Sequence, residues 1–475
     1  MTSSSKPHSP AFFVLFPAVA MLLGWGLRGY IGGGPFGALI PGVYVALCLS
    51  LLLKHDVTTA ATVAMFGALG IGYGGDMTYG QTLGLAKDID TRLWGFLGVT
   101  LKGTVWGLLG GAVLGVGLTR QHYDRKTLMT AFLITIVGFY LGWKLINEPK
   151  LIYFSNPLDK PREESWAGLT FAAIGLLAYL RTKLSGEYAA IPLRFALWGA
   201  LGGGLGFGGG TLWLVYGPAL PVPQKWFGWW KAMEFSFGFS FGAFLGLCAY
   251  LNRGLLIRYS PPEENEDKRD SWLPTAGLVA FIVLAFVTLP ILFGAMERME
   301  SGMPALAVVA AKDFARMVGS FIFFAAVCFF FGLRSTRAAW QIAITLTFFH
   351  AMLDLLRDMT DTDHFGYIVP TPMIAVLLVI STVLVGFATA YHSKRERPLQ
   401  QLFLLIIWTC YAVATWRTFG SKDLWFPGED GGGGWAQFIA DDAAVLPVHA
   451  LFTVSALVTT WWIITKFKDE TQQRS

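Results

Sequence analysis

A glycine-rich stretch in the first quarter of the chain carries three polar side chains of the kind that bind solutes. The stretch, FGALGIGYGGDMTYGQT at 66–82, follows an apolar run and contains Asp76, Tyr79 and Gln81. Glycines at the end of a helix free backbone N–H and C=O groups, which can bind a solute together with a carboxylate, a phenol and an amide. We predict that these three side chains bind substrate.

Four charged residues lie inside or beside apolar runs, where a charge is costly unless it is paired or hydrated. They are Arg28, Lys102, Lys231 and Glu234. Lys231 and Glu234 are three residues apart and are expected to pair on one helical face. Because such charges mark functional sites in membrane proteins, we predict that all four belong to the substrate site.

The sequence leaves the ion-pair partners of Lys102 and Asp76 open. Lys102 starts well inside its apolar run and needs a carboxylate, for which Asp76, Glu148 and Glu234 are candidates. Asp76 is the only acid of its glycine stretch, and we expect it to lie within salt-bridge or hydrogen-bond reach of Arg28, Lys102 or Lys231.

A second cluster of ionisable residues occurs in the C-terminal half, in HAMLDLLRDMTDTDHFGY. His350, Asp354 and Asp358 are spaced i, i+4 and i+8, so they share one stripe of a helix, and Asp361 follows them. We predict that these four residues couple an ion or a proton to function. A divalent metal and a solvated acidic helix end are the alternatives, and we predict neither a metal nor another cofactor.

The composition identifies the kind of protein that holds these residues. The chain has 475 residues, is 54% hydrophobic and only 14% charged, and its mean hydropathy is +0.53. Such a chain is too apolar for a soluble domain, and its long apolar runs favour helices as the spanning elements. The four cysteines each lie in a different apolar run and predict neither disulfides nor a thiolate metal site.

The apolar runs predict an all-α polytopic membrane protein with about fourteen transmembrane helices. The predicted spans are 11–27, 36–53, 58–73, 93–118, 127–146, 166–181, 189–207, 229–251, 273–295, 305–333, 338–356, 367–391, 400–416 and 444–465. Lysines and arginines are more frequent in the turns that lie on the same side of the membrane as the N-terminus, and with an even number of spans the C-terminus lies there too. Both termini are therefore predicted to be cytoplasmic, in a bacterial inner (plasma) membrane. The glycine-rich and acid-rich loops then face outside.

Internal matches predict a duplication of the first eight spans. GALGIG at 67–72 resembles GALGGG at 199–204, and GLLGGAVLG at 107–115 resembles GFSFGAFLG at 238–246. Two parallel four-helix repeats follow, related by an axis along the membrane normal. Chance likeness of glycine-rich helices is the alternative.

The duplication predicts the domain organisation and a pair of helix breaks. Residues 1–251 form the core, with repeats at about 11–118 and 127–251; 252–272 form a charged cytoplasmic linker, and 273–475 form a six-helix domain. Gly72–Asp76 is expected to superpose on Gly204–Gly210, so that two symmetry-related breaks flank an outward-facing polar pocket.

Two classes of function, and a weaker third, remain after motif inspection. No nucleotide-binding, haem-attachment, serine-hydrolase or zinc-protease motif occurs, and no basic cluster suggests nucleic acid as a partner. We predict a secondary carrier for a small polar solute, sugar-like or ionic, with the lipid bilayer as its other partner; its oligomeric state is left open. The alternatives are a membrane-embedded transferase or hydrolase that uses carboxylates outside the cytoplasm, and a structural subunit of a membrane complex.

Overall fold

The computed structural model describes residues 8–156, 161–257, 272–288, 318–360, 365–426 and 433–467, and within these ranges the chain is helical without a strand. The main helices are α1 Pro10–Ile31, α2 Leu39–Leu52, α3 Val57–Tyr73, α4 Gly80–Lys87, α5 Arg92–Leu118, α6 Arg125–Asn147, α7 Trp166–Lys183, α8 Ile191–Tyr216, α9 Trp229–Leu256, α10 Trp272–Val283, α11 Phe321–Gly332, α12 Thr336–Asp358, α13 Thr371–His392, α14 Pro398–Phe419 and α15 Val445–Lys466.

The prediction of a polytopic helical membrane protein is confirmed in its coarse form. Within the described ranges, eleven helices are long and apolar enough to cross a membrane. Helix α7, which lies on the predicted span 166–181, is not among the eleven. The predicted spans 273–295 and 305–333 are only partly described, so the number fourteen stays a prediction.

The two ends of the described chain meet at one end of the helix bundle. The ring of His8, just before α1, lies 4.9 Å from the ring of Phe467, just after α15. The side-chain amide of Gln400, near the start of α14, donates to the Phe467 carbonyl. Adjacent ends are what an even number of spans requires, whereas the cytoplasmic orientation stays a prediction.

Several helices begin at a side chain that accepts backbone N–H groups. Asp56 accepts from the amides of Thr58 and Thr59 at the start of α3, at 2.9 and 3.0 Å. Ser9 does the same for α1 and Ser335 for α12. These caps satisfy donors that no turn of the helix can reach and so fix where the helices start.

Glycines bring two pairs of helices into close contact. A β-carbon at Gly107 of α5 would collide with the backbone of Gly199 in α8, and one at Gly103 with the backbone of Gly203. A β-carbon at Gly238 of α9 would likewise collide with the backbone of α1. Spacing of four residues places these glycines on one face, and small faces let helix backbones approach closely in lipid.

The expected second helix break, at Gly204–Gly210, is wrong. Helix α8 runs without interruption from Ile191 to Tyr216 through GALGGGLGFGGG. Its glycines pack against α5 and α9, and this contact keeps the backbone helical where glycine alone favours a break. Because Gly72–Asp76 does end α3, the two glycine segments differ in conformation, and the 4+4 duplication stays a prediction.

The N-terminal and C-terminal helices share one apolar core. The hydroxyl of Tyr44 in α2 donates to the carbonyl of Ile406 in α14, at 3.3 Å. The ring of Phe16 in α1 lies 6.2 Å from that of Phe403 in α14. The proposed division at 252–272 stays a prediction, since residues 258–271 are outside the described residues.

Candidate functional site

Most of the predicted site residues lie at one end of the bundle, around the turn that links α1 to α2. Gly32 and Gly33 are extended there, and Gly34 has a φ of +70°, a conformation that favours glycine. We call this half-buried segment the Gly32–Gly34 turn. A β-carbon at Gly32 would collide with the carboxylate of Asp354 in α12, and one at Gly29 with the carboxylate of Glu234 in α9.

Arg28, in the last turn of α1, is 2% exposed and is surrounded by aromatic rings. Its guanidinium carbon lies 5.7, 5.5 and 5.3 Å from the ring centres of Trp25, Tyr79 and Trp106. Nη1 donates to the Tyr79 hydroxyl at 2.5 Å, and the buried Nε has no hydrogen-bond partner. No described carboxylate lies within 4.0 Å of the guanidinium, so its charge is buried without an ion pair.

A second glycine turn, at the end of α3, packs against the Gly32–Gly34 turn. Helix α3 ends at Tyr73, Gly74–Asp76 form a single 3₁₀ turn, and α4 starts at Gly80. A β-carbon at Gly75 would collide with the Cα of Pro35 and the carbonyl of Gly34. The two breaks that meet in this structure are therefore at Gly32–Gly34 and Gly74–Asp76.

Asp76 does not pair with a cation, contrary to expectation. Among the described residues it has no salt bridge within 4.0 Å, and its buried Oδ2 has no hydrogen-bond partner. Its carbonyl accepts from the Ser165 hydroxyl at 2.9 Å. The expected cations are engaged elsewhere: Arg28 with Tyr79, and the two lysines with glutamates.

Lys102 pairs with Glu164 and not with any of the three acids proposed from the sequence. Its ammonium donates to Glu164 Oε1, to the Thr82 hydroxyl and to the Thr78 carbonyl, each at 2.7 Å. Both charged side chains are 1% exposed. Because Thr78 and Thr82 flank the start of α4, this ion pair holds the segment after the α3 break against α5 and the loop before α7.

Lys231 and Glu234 form the expected pair at the start of α9. The ammonium lies 2.5 Å from Glu234 Oε2, and the Trp230 indole donates to Oε1 at 3.0 Å. The Trp230 ring also stacks at 6.1 Å on that of Tyr79. The burial of Tyr79 raises the pKa of its phenol, and the neighbouring Arg28 opposes that rise. Tyr79 is therefore a neutral hydroxyl at physiological pH.

The C-terminal cluster reaches the same turn from α12 and α14. Nδ1 of His350 lies 3.2 Å from Asp354 Oδ2, the oxygen that faces Gly32. Asp358 forms an ion pair with Arg417 of α14, whose Nη1 also donates to the carbonyl of Ile31 at 3.3 Å. Three of the four predicted coupling residues thus lie at the end of α1.

Two of the predicted residues remain to be placed. Asp361 lies outside the described residues. Gln81 lies in the first turn of α4, beside the break. Within the described ranges no three histidine, cysteine, aspartate or glutamate side chains converge closely enough to hold a metal ion.

Sequence reasoning missed four residues of this site. Glu164 lies in a polar loop with no motif, Arg417 directly follows the predicted span 400–416, and Trp25 and Trp106 belong to apolar runs. One signal was available: Arg28 is followed directly by GYIGGGPFG, whose three consecutive glycines and a proline indicate a helix end as strongly as YGGD does.

The chain matches no family model, no curated protein and no solved structure.

Proposed function

We propose that this chain is a secondary carrier that binds a small polar solute where the Gly32–Gly34 turn meets the Gly74–Asp76 turn. The observation that carries the proposal is this contact between two glycine turns, each at the end of a membrane span. Helix ends present unpaired backbone groups, and membrane carriers bind solutes with backbone groups of this kind. Backbone groups that leave helical pairing are tolerated near the membrane only when protein buries them or water reaches them.

The charged residues receive distinct roles in this proposal. Arg28, Asp76, Tyr79 and Gln81 contact the solute from the two breaks. The ion pair of Lys102 with Glu164 and that of Lys231 with Glu234 hold the flanking segments in place, so we propose that these pairs position the site.

We assign coupling to His350, Asp354 and Asp358, with Asp361 next in sequence. The Asp354 carboxylate touches Gly32, so a change in its charge acts directly on the turn. Asp358 and Arg417 connect the same change to the Ile31 carbonyl at the end of α1. Ion or proton binding at these acids is thereby linked to the backbone that binds solute.

A membrane-embedded transferase or hydrolase is the second candidate. His350 Nδ1 lies 3.2 Å from Asp354 Oδ2 without forming a hydrogen bond, and this proximity favours an enzyme, because an imidazole beside a carboxylate can serve in acid–base catalysis. An enzyme converts its substrate on one side of the membrane, whereas a carrier moves an unchanged solute across it.

Uptake into proteoliposomes tests the carrier proposal. Purified chain is reconstituted and offered radiolabelled glucose, glycerol, alanine and cyclohexanecarboxylate. We expect saturable uptake of at least one solute. Gly75→Ala should lower it at least tenfold, because the added methyl group collides with Pro35 and the Gly34 carbonyl.

Gly80→Ala is the matched control, because it lies at the same break but a β-carbon there meets nothing within 4 Å. Its uptake should stay within twofold of that of the unmodified chain. Equal uptake by the two variants, or no saturable uptake of any solute, would contradict the proposal.

A further inference from the structure

We infer that Arg28 is an anion-binding group and that its ligand is a small organic molecule with a single carboxylate. The inference rests on the proposed function in that it names the chemical class of the solute. It concerns the Arg28 side chain and the rings around it, and it can be tested by binding alone.

The guanidinium has donors that no described residue uses. Of its five N–H groups, one is donated, to Tyr79, and the buried Nε is without a partner. A buried unsatisfied donor on a charged group costs several kcal/mol, so such an arrangement is retained where a ligand completes it. The planar fork of arginine matches the two oxygens of a carboxylate.

The charge balance of the neighbourhood favours a monoanion. Lys102 is neutralised by Glu164, and Lys231 by Glu234. Arg28 is a buried positive charge without an ion-paired acid, and Asp76, the other group of the site that has no ion pair, adds no positive charge. One carboxylate can therefore pair with Arg28, whereas a phosphate dianion brings a second negative charge for which no unpaired cation of the site is left among the described residues.

The surrounding rings predict what the rest of the ligand looks like. Trp25, Tyr79 and Trp106 lie around the guanidinium, and Trp230 stacks on Tyr79. Such rings exclude water and offer apolar contact, which strengthens the ionic bond and suits a ligand with a compact hydrocarbon part.

The test compares an acid with its uncharged amide on the purified chain. Cyclohexanecarboxylate, cyclohexanecarboxamide and inorganic phosphate are titrated, and the signal is the intrinsic tryptophan fluorescence to which Trp25 and Trp106 contribute. We expect the acid to bind saturably and at least tenfold more tightly than the amide or phosphate. Equal binding of acid and amide, tighter binding of phosphate, or no binding of the acid would overturn the inference.

Two variants locate the effect. Arg28→Gln should remove the preference for acid over amide, whereas Arg125→Gln, which changes an exposed arginine at the start of α6, should keep it. Retention of the preference in Arg28→Gln would also overturn the inference. If Arg28→Gln does not fold, the acid–amide comparison on the unmodified chain decides alone.

The failure of this inference differs from the failure of the carrier proposal. Saturable uptake of a neutral solute that Arg28→Gln leaves unchanged would refute the carboxylate and keep the carrier. Tight, Arg28-dependent binding of the acid without uptake of any solute would keep the anion site and refute the carrier.

Discussion

Removal of the Lys102 ammonium should destabilise the fold strongly. The variant Lys102→Met keeps an unbranched side chain, one atom shorter, and deletes the charge and three hydrogen bonds. Among the described residues, Glu164, 1% exposed, is then left with only the Ser155 hydroxyl and the Phe154 amide as donors, at 3.0 and 3.1 Å. A buried carboxylate that loses its cation is the main source of the expected loss.

The size of the effect follows from burial. Removal of one partner from a buried ion pair costs about 3–5 kcal/mol, and the exposed i, i+4 pair of Lys144 and Glu148 supplies a matched control in the same chain. That pair is 39% exposed on both sides, so Lys144→Met should cost about 0.5 kcal/mol or less. The two lysine-to-methionine changes should therefore differ by at least 2 kcal/mol, an estimate from the same two classes of ion pair.

The cysteines of the chain provide the assay. All four are buried and unpaired, so a thiol-reactive fluorophore reports unfolding in detergent. Denaturant titrations of Lys102→Met, Glu164→Gln and the double variant complete a cycle. The double variant should lose less stability than the sum of the single variants. Equal stability of Lys102→Met and Lys144→Met would refute the burial argument.

Three further predictions concern packing, pH and coupling. Gly107→Ala should lower the unfolding temperature by several degrees, because the added methyl group collides with α8. Gly209→Ala should be neutral or stabilising, because its methyl group meets nothing within 4 Å and alanine favours helices over glycine by about 1 kcal/mol. Thermal unfolding of both variants checks this prediction. Burial lowers the pKa of His55 to about 4 in the folded chain, so as the pH falls the unfolded chain takes up a proton before the folded chain does. The free energy of unfolding should therefore decrease as the pH drops from 7 towards 4. His55→Gln should flatten that pH profile. Asp354→Asn and Asp358→Asn should keep the unfolding temperature within a few degrees, since both acids are partly exposed. Both variants should lose the part of solute uptake that depends on pH or on an ion. Unchanged uptake profiles would leave both acids as solvated helix ends.

The helices were predictable because each depends on local sequence. Long apolar runs, and capping residues such as Asp56, fix where helices run and begin without reference to the rest of the chain. The Lys231–Glu234 pair was predictable for the same reason, since both residues lie on one helical turn.

The site was less predictable because its contacts join distant parts of the chain. Glu164 meets Lys102 across sixty-two positions of sequence, and no local pattern indicates that meeting. The glycine stretch at 199–210 reads like the one at 67–76, but α5 and α9 keep it helical. Glycine content alone therefore does not distinguish a helix break from a close helix contact.

The central claim is that the chain moves an unchanged solute across the membrane, and solute exchange in proteoliposomes tests it most directly. Vesicles are loaded with a high concentration of unlabelled cyclohexanecarboxylate, diluted, and supplied outside with a trace of the labelled acid. We expect transient accumulation of unchanged label inside the vesicles, at least tenfold weaker in Arg28→Gln and undiminished in Arg125→Gln. Chemical conversion of the label without accumulation, or equal accumulation in protein-free vesicles, would contradict it.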